Sequence, residues 1–96
     1  MAATHHLAAS PSTVHWGYFD AALDPVLEVA SGDTVTLESV SGGPETLPGE
    51  GYHVPPELLE IHAQVPRKMP GHMLTGPVRV QGARAGQVLQ VDIIDV

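Results

Sequence analysis

Val29-Ala30-Ser31-Gly32-Asp33-Thr34-Val35-Thr36-Leu37 is the stretch that decides the fold class. Ser31-Gly32-Asp33 is turn chemistry, with a glycine free to take positive φ. After the turn, Val35 and Leu37 fall on one face, and Thr34, Thr36 and Glu38 on the other. That is the period-two pattern of a half-buried strand. Before it, Val26–Ala30 is a short apolar run behind Pro25, so the whole reads as strand–turn–strand. A similar string returns as Ala83-Arg84-Ala85-Gly86-Gln87-Val88-Leu89-Gln90-Val91, again a glycine turn feeding an alternating strand. Two hairpins obeying the same turn chemistry account for this weak repeat more simply than duplication does.

Working outward, Thr13–Trp16 and Val78–Val80 also read as strands, and Val88–Val96 as a last one. In that last strand Leu89, Val91 and Ile93 face one way, and the register blurs at Ile94 and Val96. Either a bulge or burial of both faces would produce this. Met1–Pro11 reads as a polar lead-in, with His5-His6 a solvated pair. From Gly42 to Glu57 the chain holds four glycines and four prolines, so no regular element is expected to cross it. Loops this long are functional or disordered. Pro56 opens a short helix over Glu57–Ala63, its first-turn acids suit the helix dipole, and Pro66 stops it. The expected fold is a mostly β small domain of sandwich or jelly-roll type with one short helix.

Composition bounds the function. Ninety-six residues make one small domain or part of one, whose stability margin is thin. Hydrophobic residues at 43% and charged residues at 16% argue against disorder. Nine prolines and ten glycines exclude a helical bundle. Four basic residues against eleven acidic ones disfavour nucleic acid and anionic membrane surfaces as partners. The absence of cysteine excludes disulfides, thiolate metal sites and blue copper, despite the cupredoxin-like Gly32-Asp33-Thr34-Val35 turn. No apolar run approaches the ~20 residues of a membrane helix, and Met1–Thr13 lacks signal-peptide character. The expected location is cytoplasmic. The apolar end Ile93-Ile94-Asp95-Val96 predicts that the polypeptide continues, or that a partner covers this strand.

Six histidines point towards chemistry. His72, between Pro70-Gly71 and Thr75-Gly76-Pro77, is presented at a turn, well placed for acid–base work or ligation. His53 lies in the breaker-rich loop, and His15 in a strand beside Trp16. His15 reads equally as a partly buried, hydrogen-bonded imidazole, and His62 on the helix reads as structural. There is no His-Glu-x-x-His and no i, i+4 histidine pair, so a metal site would have to be assembled from distant segments. No serine lies in Gly-x-Ser-x-Gly, and no glycine-rich phosphate loop precedes a helix. Glu57 and Glu60 share a helix face that reads as solvated.

The string His15-Trp16-Gly17-Tyr18-Phe19-Asp20-Ala21-Ala22-Leu23-Asp24-Pro25-Val26-Leu27 resembles the start of the acetamidase/formamidase family. Ser31–Val35, Glu38–Glu45, His53–Ala63, Gly71–Val78 and Gly82-Ala83 are similar to that family in the same order. The resemblance covers nearly the whole chain and implies a mostly β fold. It implies an amidase, hydrolysing the C–N bond of small linear amides such as formamide or acetamide and releasing ammonia. It also implies His72, His53 and His15, in that order, as catalytic candidates, and a divalent metal ion, associated with some members. Residues 1–96 resemble only the N-terminal portion of a longer family member. The Gly-, Asp- and His-rich block typical of the family's middle is not in this chain. The implied partners are therefore a small amide substrate, the rest of the enzyme or a second subunit, and a second copy in a homo-oligomer. Gln87 departs from the aspartate usual in the family, a change that bears on turn capping more than on chemistry. The alternative is a β interaction module derived from the family and no longer catalytic.

Overall fold

A computed structural model of the chain describes residues 2–96. In chain order it comprises β1 (Thr4–Leu7), β2 (Val14–Trp16), β3 (Leu27–Val29), β4 (Thr34–Leu37), a 3₁₀ turn (Pro44–Thr46), α1 (Pro56–Gln64), β5 (Met73–Thr75) and β6 (Val78–Val80). The strands form three two-stranded sheets: β1 with β4 parallel, β2 with β5 antiparallel, β3 with β6 parallel. The fold is thus small and mostly strand, with one short α-helix and no helix long and apolar enough to cross a membrane among the described residues.

The sequence places strands correctly near Val14, Leu27, Val35 and Val78, but mistakes how they pair. β3 and β4 are not a hairpin. At their junction the Asp33 N–H donates to the Ala30 carbonyl (3.0 Å), and Asp33 Oδ2 accepts from the Ala30 N–H (2.9 Å). Gly32 takes φ 91°, so positive φ falls on the third of four residues, the type II pattern. Turns of that hand splay the flanking strands, whereas hairpins need the mirror-image types. β3 and β4 therefore find separate partners.

β4 finds its partner in the segment that reads as a polar lead-in. Thr4–Leu7 is a strand, not a solvated tail, and Leu7 and Ala9 are buried. Of the pair expected to be solvated, His5 is half-buried and His6 is exposed, and both are hydrogen-bonded: His5 Nε2 lies 2.9 Å from Asp33 Oδ2, and His6 Nε2 bonds Glu38 Oε2. The carboxylates of the turn and of the end of β4 hold the imidazoles in place. β5 is a further strand that short flanking breakers conceal in the sequence.

Arg84–Gln87 repeats the geometry of Ala30–Asp33. Gln87 N–H donates to the Arg84 carbonyl (3.2 Å), Gln87 Oε1 accepts from the Arg84 N–H (2.8 Å), and Gly86 has φ 93°. The glutamine therefore does the capping that Asp33 does. The segment beyond it is not the strand that its alternation predicts. Residues 88–96 have no ladder partner, and Leu89, Val91, Ile93 and Ile94 are all at least 70% exposed. A strand is defined by its hydrogen-bonded neighbour, and here there is none.

The main core joins α1 to the β2–β5 pair. Leu58 and Ile61, three apart on the helix, pack with Val14, Trp16, Met73 and Ala9, and Val40, Val54 and Val65 close the edges. Pro56 occupies the first turn, and the Val65 N–H still bonds the Ile61 carbonyl (2.9 Å) before Pro66 ends the helix. The breaker-rich loop carries only the short 3₁₀ turn.

Candidate functional site

The β2–β5 register pairs Trp16 with Met73, His15 with Leu74 and Val14 with Thr75. Side chains alternate across a strand, so Trp16 and Met73 face the helix while His15 and Leu74 face the other way. On that outer side the chain turns through Gly17–Leu23 and leaves an open groove of about 370 Å³. His15, Phe19, Asp20 and Leu23 line it from one strand and its following turn, and Leu74 and Pro77 from the other. Small-molecule sites begin at roughly this size and are mostly apolar with a few polar groups, as here. A second cavity of about 250 Å³, lined by Trp16, Tyr18, Gln64 and Lys68, also reaches His15.

The hydrogen bond of His15 defines its chemistry. Nδ1 lies 3.2 Å from the Gly76 carbonyl oxygen, which can only accept. Nδ1 therefore carries the proton, and in the neutral ring Nε2 is the free base. The Tyr18 ring meets the imidazole edge-on, with centroids 5.4 Å apart. Asp20 is fixed by its own turn, Oδ1 accepting the Ala22 N–H at 2.8 Å. A hydrogen-bonded imidazole base and a carboxylate thus line one small apolar groove.

Trp16 holds the framework behind this groove. Its Nε1–H donates to the Gly71 carbonyl (3.1 Å), and the ring is 3% exposed. His62 stacks on it, with centroids 5.6 Å apart, and the Arg67 guanidinium lies 4.9 Å from its centroid. Both groups then reach the long loop: His62 Nε2 to the Gly42 carbonyl (2.8 Å), and Arg67 to Glu45 (2.9 Å). His62 is therefore structural, as its place on the helix suggests. Glu45 ionises below the usual carboxylate range, held down first by its own backbone N–H and then by Arg67.

The three catalytic candidates are not gathered together. His15 alone among them lines the groove. His72 is exposed, although its carbonyl accepts the Gly17 N–H at 3.0 Å, two residues along the chain from His15. His53 is exposed on the loop and lines neither cavity. Asp20 and Leu74 are groove residues that the sequence does not single out. Recognising β5 opposite β2 is the signal that would have found Leu74. Among the described residues no three His, Asp or Glu side chains converge on a metal position. The described residues by themselves offer no ligand set for the divalent ion that the resemblance implies.

No family model, curated protein or solved structure matches the chain.

Proposed function

We propose that this chain is the N-terminal portion, or a small subunit, of a cytoplasmic hydrolase acting on the C–N bond of small linear amides, releasing ammonia. One observation carries the reading. Every residue lining the larger groove comes from two of the segments that resemble the acetamidase/formamidase family, His15–Leu27 and Gly71–Val78. Two short strings far apart in sequence, each family-like, form the two walls of one small site.

In this reading Nε2 of His15 takes the proton of the attacking water, and Gly76 holds the ring in the required tautomer. His72 on its turn and His53 on the loop remain the further candidates in this reading. Amide hydrolysis also requires an acid for the leaving nitrogen and donors for the oxyanion. The rest of the enzyme would supply these, together with any divalent ion and the further strands that complete a sandwich.

Ammonia release from formamide and acetamide tests this. The 96-residue chain should stay near background. A longer form that carries the family's Gly-, Asp- and His-rich block should turn over, and His15→Ala should lower its rate by roughly 10²–10⁴-fold, the usual scale for a general base. Turnover indifferent to His15→Ala would contradict the assignment. The second reading, a non-catalytic β interaction module, draws on the exposed apolar segment 88–96. It predicts no turnover in any longer form.

A further inference from the structure

The groove beside His15 is larger and more apolar than formamide or acetamide requires. Acetamide takes the room of about three waters, roughly 90 Å³ at ~30 Å³ each, and formamide takes less. The groove offers about 370 Å³. Its apolar walls are Leu74 and Pro77 on one side and Phe19 and Leu23 on the other. Leu23, Leu74 and Pro77 are half-buried, whereas Phe19, the one phenylalanine of the chain, is 89% exposed. An aromatic ring left in water beside an apolar groove gains most when an apolar ligand covers it.

The groove's polar groups are few, and one of them is already engaged. Thr75 donates its hydroxyl to the Glu38 carbonyl (2.7 Å). His15 holds the Gly76 carbonyl through Nδ1, which leaves Nε2 for a ligand. Asp20 accepts the Ala22 N–H on Oδ1, and its second carboxylate oxygen remains to accept an N–H of a primary amide. Two polar groups can orient one carboxamide, and the apolar area around them then decides between homologues.

We infer that the groove takes primary amides with a linear, apolar acyl chain of about four to six carbons in preference to formamide and acetamide. The carboxamide meets His15 and Asp20, and the chain lies along Leu23, Leu74 and Pro77 with Phe19 covering it. This rests on the amide reading above and names its substrate class. A fully buried methylene is worth about fourfold in affinity, and one half covered in an open groove about twofold. From acetamide to hexanamide, the four added methylenes should therefore tighten binding by roughly 16- to 250-fold.

Nuclear magnetic resonance titration of the labelled chain with acetamide, propionamide, butyramide and hexanamide tests the inference, read at His15, Phe19 and Leu74. The methyl ketones of matching chain length serve as controls. Affinity should rise with each methylene, and each ketone should bind several-fold more weakly than its amide, because its methyl cannot donate to Asp20. Phe19→Ala removes an exposed side chain, so folding is not at stake, and it should cut the preference for hexanamide over acetamide by roughly three- to tenfold. If acetamide saturates the His15 shifts and hexanamide binds no tighter, the inference is overturned and the amide reading stands. A preference unchanged in Phe19→Ala overturns it likewise. Ketones that bind as tightly as the amides, with the same rise along the series, overturn the amide reading and the inference with it.

Discussion

At His15 one hydrogen bond fixes the tautomer of a common side chain. The Gly76 carbonyl fixes the proton on Nδ1, which the sequence does not reveal because residues 15 and 76 are joined only through the β2–β5 register. What is legible in sequence is that His15 sits in a strand and is partly buried; which histidine meets a cavity is not. Asp33 makes a similar point about turns. Backbone N–H groups of Ala3 and Ala30, then His5, lower its ionisation from the usual 3.8 to about 2. Its folded-state value is the lower one, so its stabilisation is fully present above pH 3.8 and is lost as the pH falls towards 2. The Thr34 amide, bonded to Ala3, should therefore lose protection relative to its intrinsic exchange rate in that window, and Asp33→Ala should speed its exchange at neutral pH. Equal protection in the variant would contradict the role. At Gly17, φ is 96° and an added Cβ would stand 2.1 Å from the Met69 carbonyl oxygen. Gly17→Ala should cost at least about 1–3 kcal/mol in denaturant unfolding.

At the scale of elements, α1 is the part the sequence describes best. Pro56 at its start, acids in its first turn and Pro66 beyond its end are all local signals, and local signals survive folding. β1 and β5 were illegible for opposite reasons. β1 is short and polar, and becomes a strand through its backbone ladder with β4, where Asp33 and Glu38 also hold its imidazoles. β5 has only three residues between a Pro-Gly turn and a Gly-Pro turn, too few to show a period. Residues 88–92 carry the pattern of β4 without its neighbour, so pattern alone did not make a strand. The helix is coupled to the site through Ile61, fully buried against the Trp16 side of β2. Ile61→Ala should destabilise by about 2–5 kcal/mol and, in a domain this small, unfold much of the population. An unchanged melting transition would show that the helix does not support the β2–β5 pair.

At the scale of the molecule, every strand pairing is long-range in sequence, which is why composition and turn chemistry predict the class and not the topology. The radius of gyration is 15.2 Å, against about 12–13 Å for a compact chain of this length, consistent with the projecting segment 88–96. The central claim is that the two family-like walls around His15 form a site for a small amide. Nuclear magnetic resonance of the labelled chain during titration with acetamide tests this most directly, since it reads binding without requiring turnover. The account predicts saturable shifts of the His15 ring together with Phe19 and Leu74, abolished by His15→Ala while the Trp16 indole signal stays in place. No saturable shift in those groups, or shifts centred on His53, would contradict it.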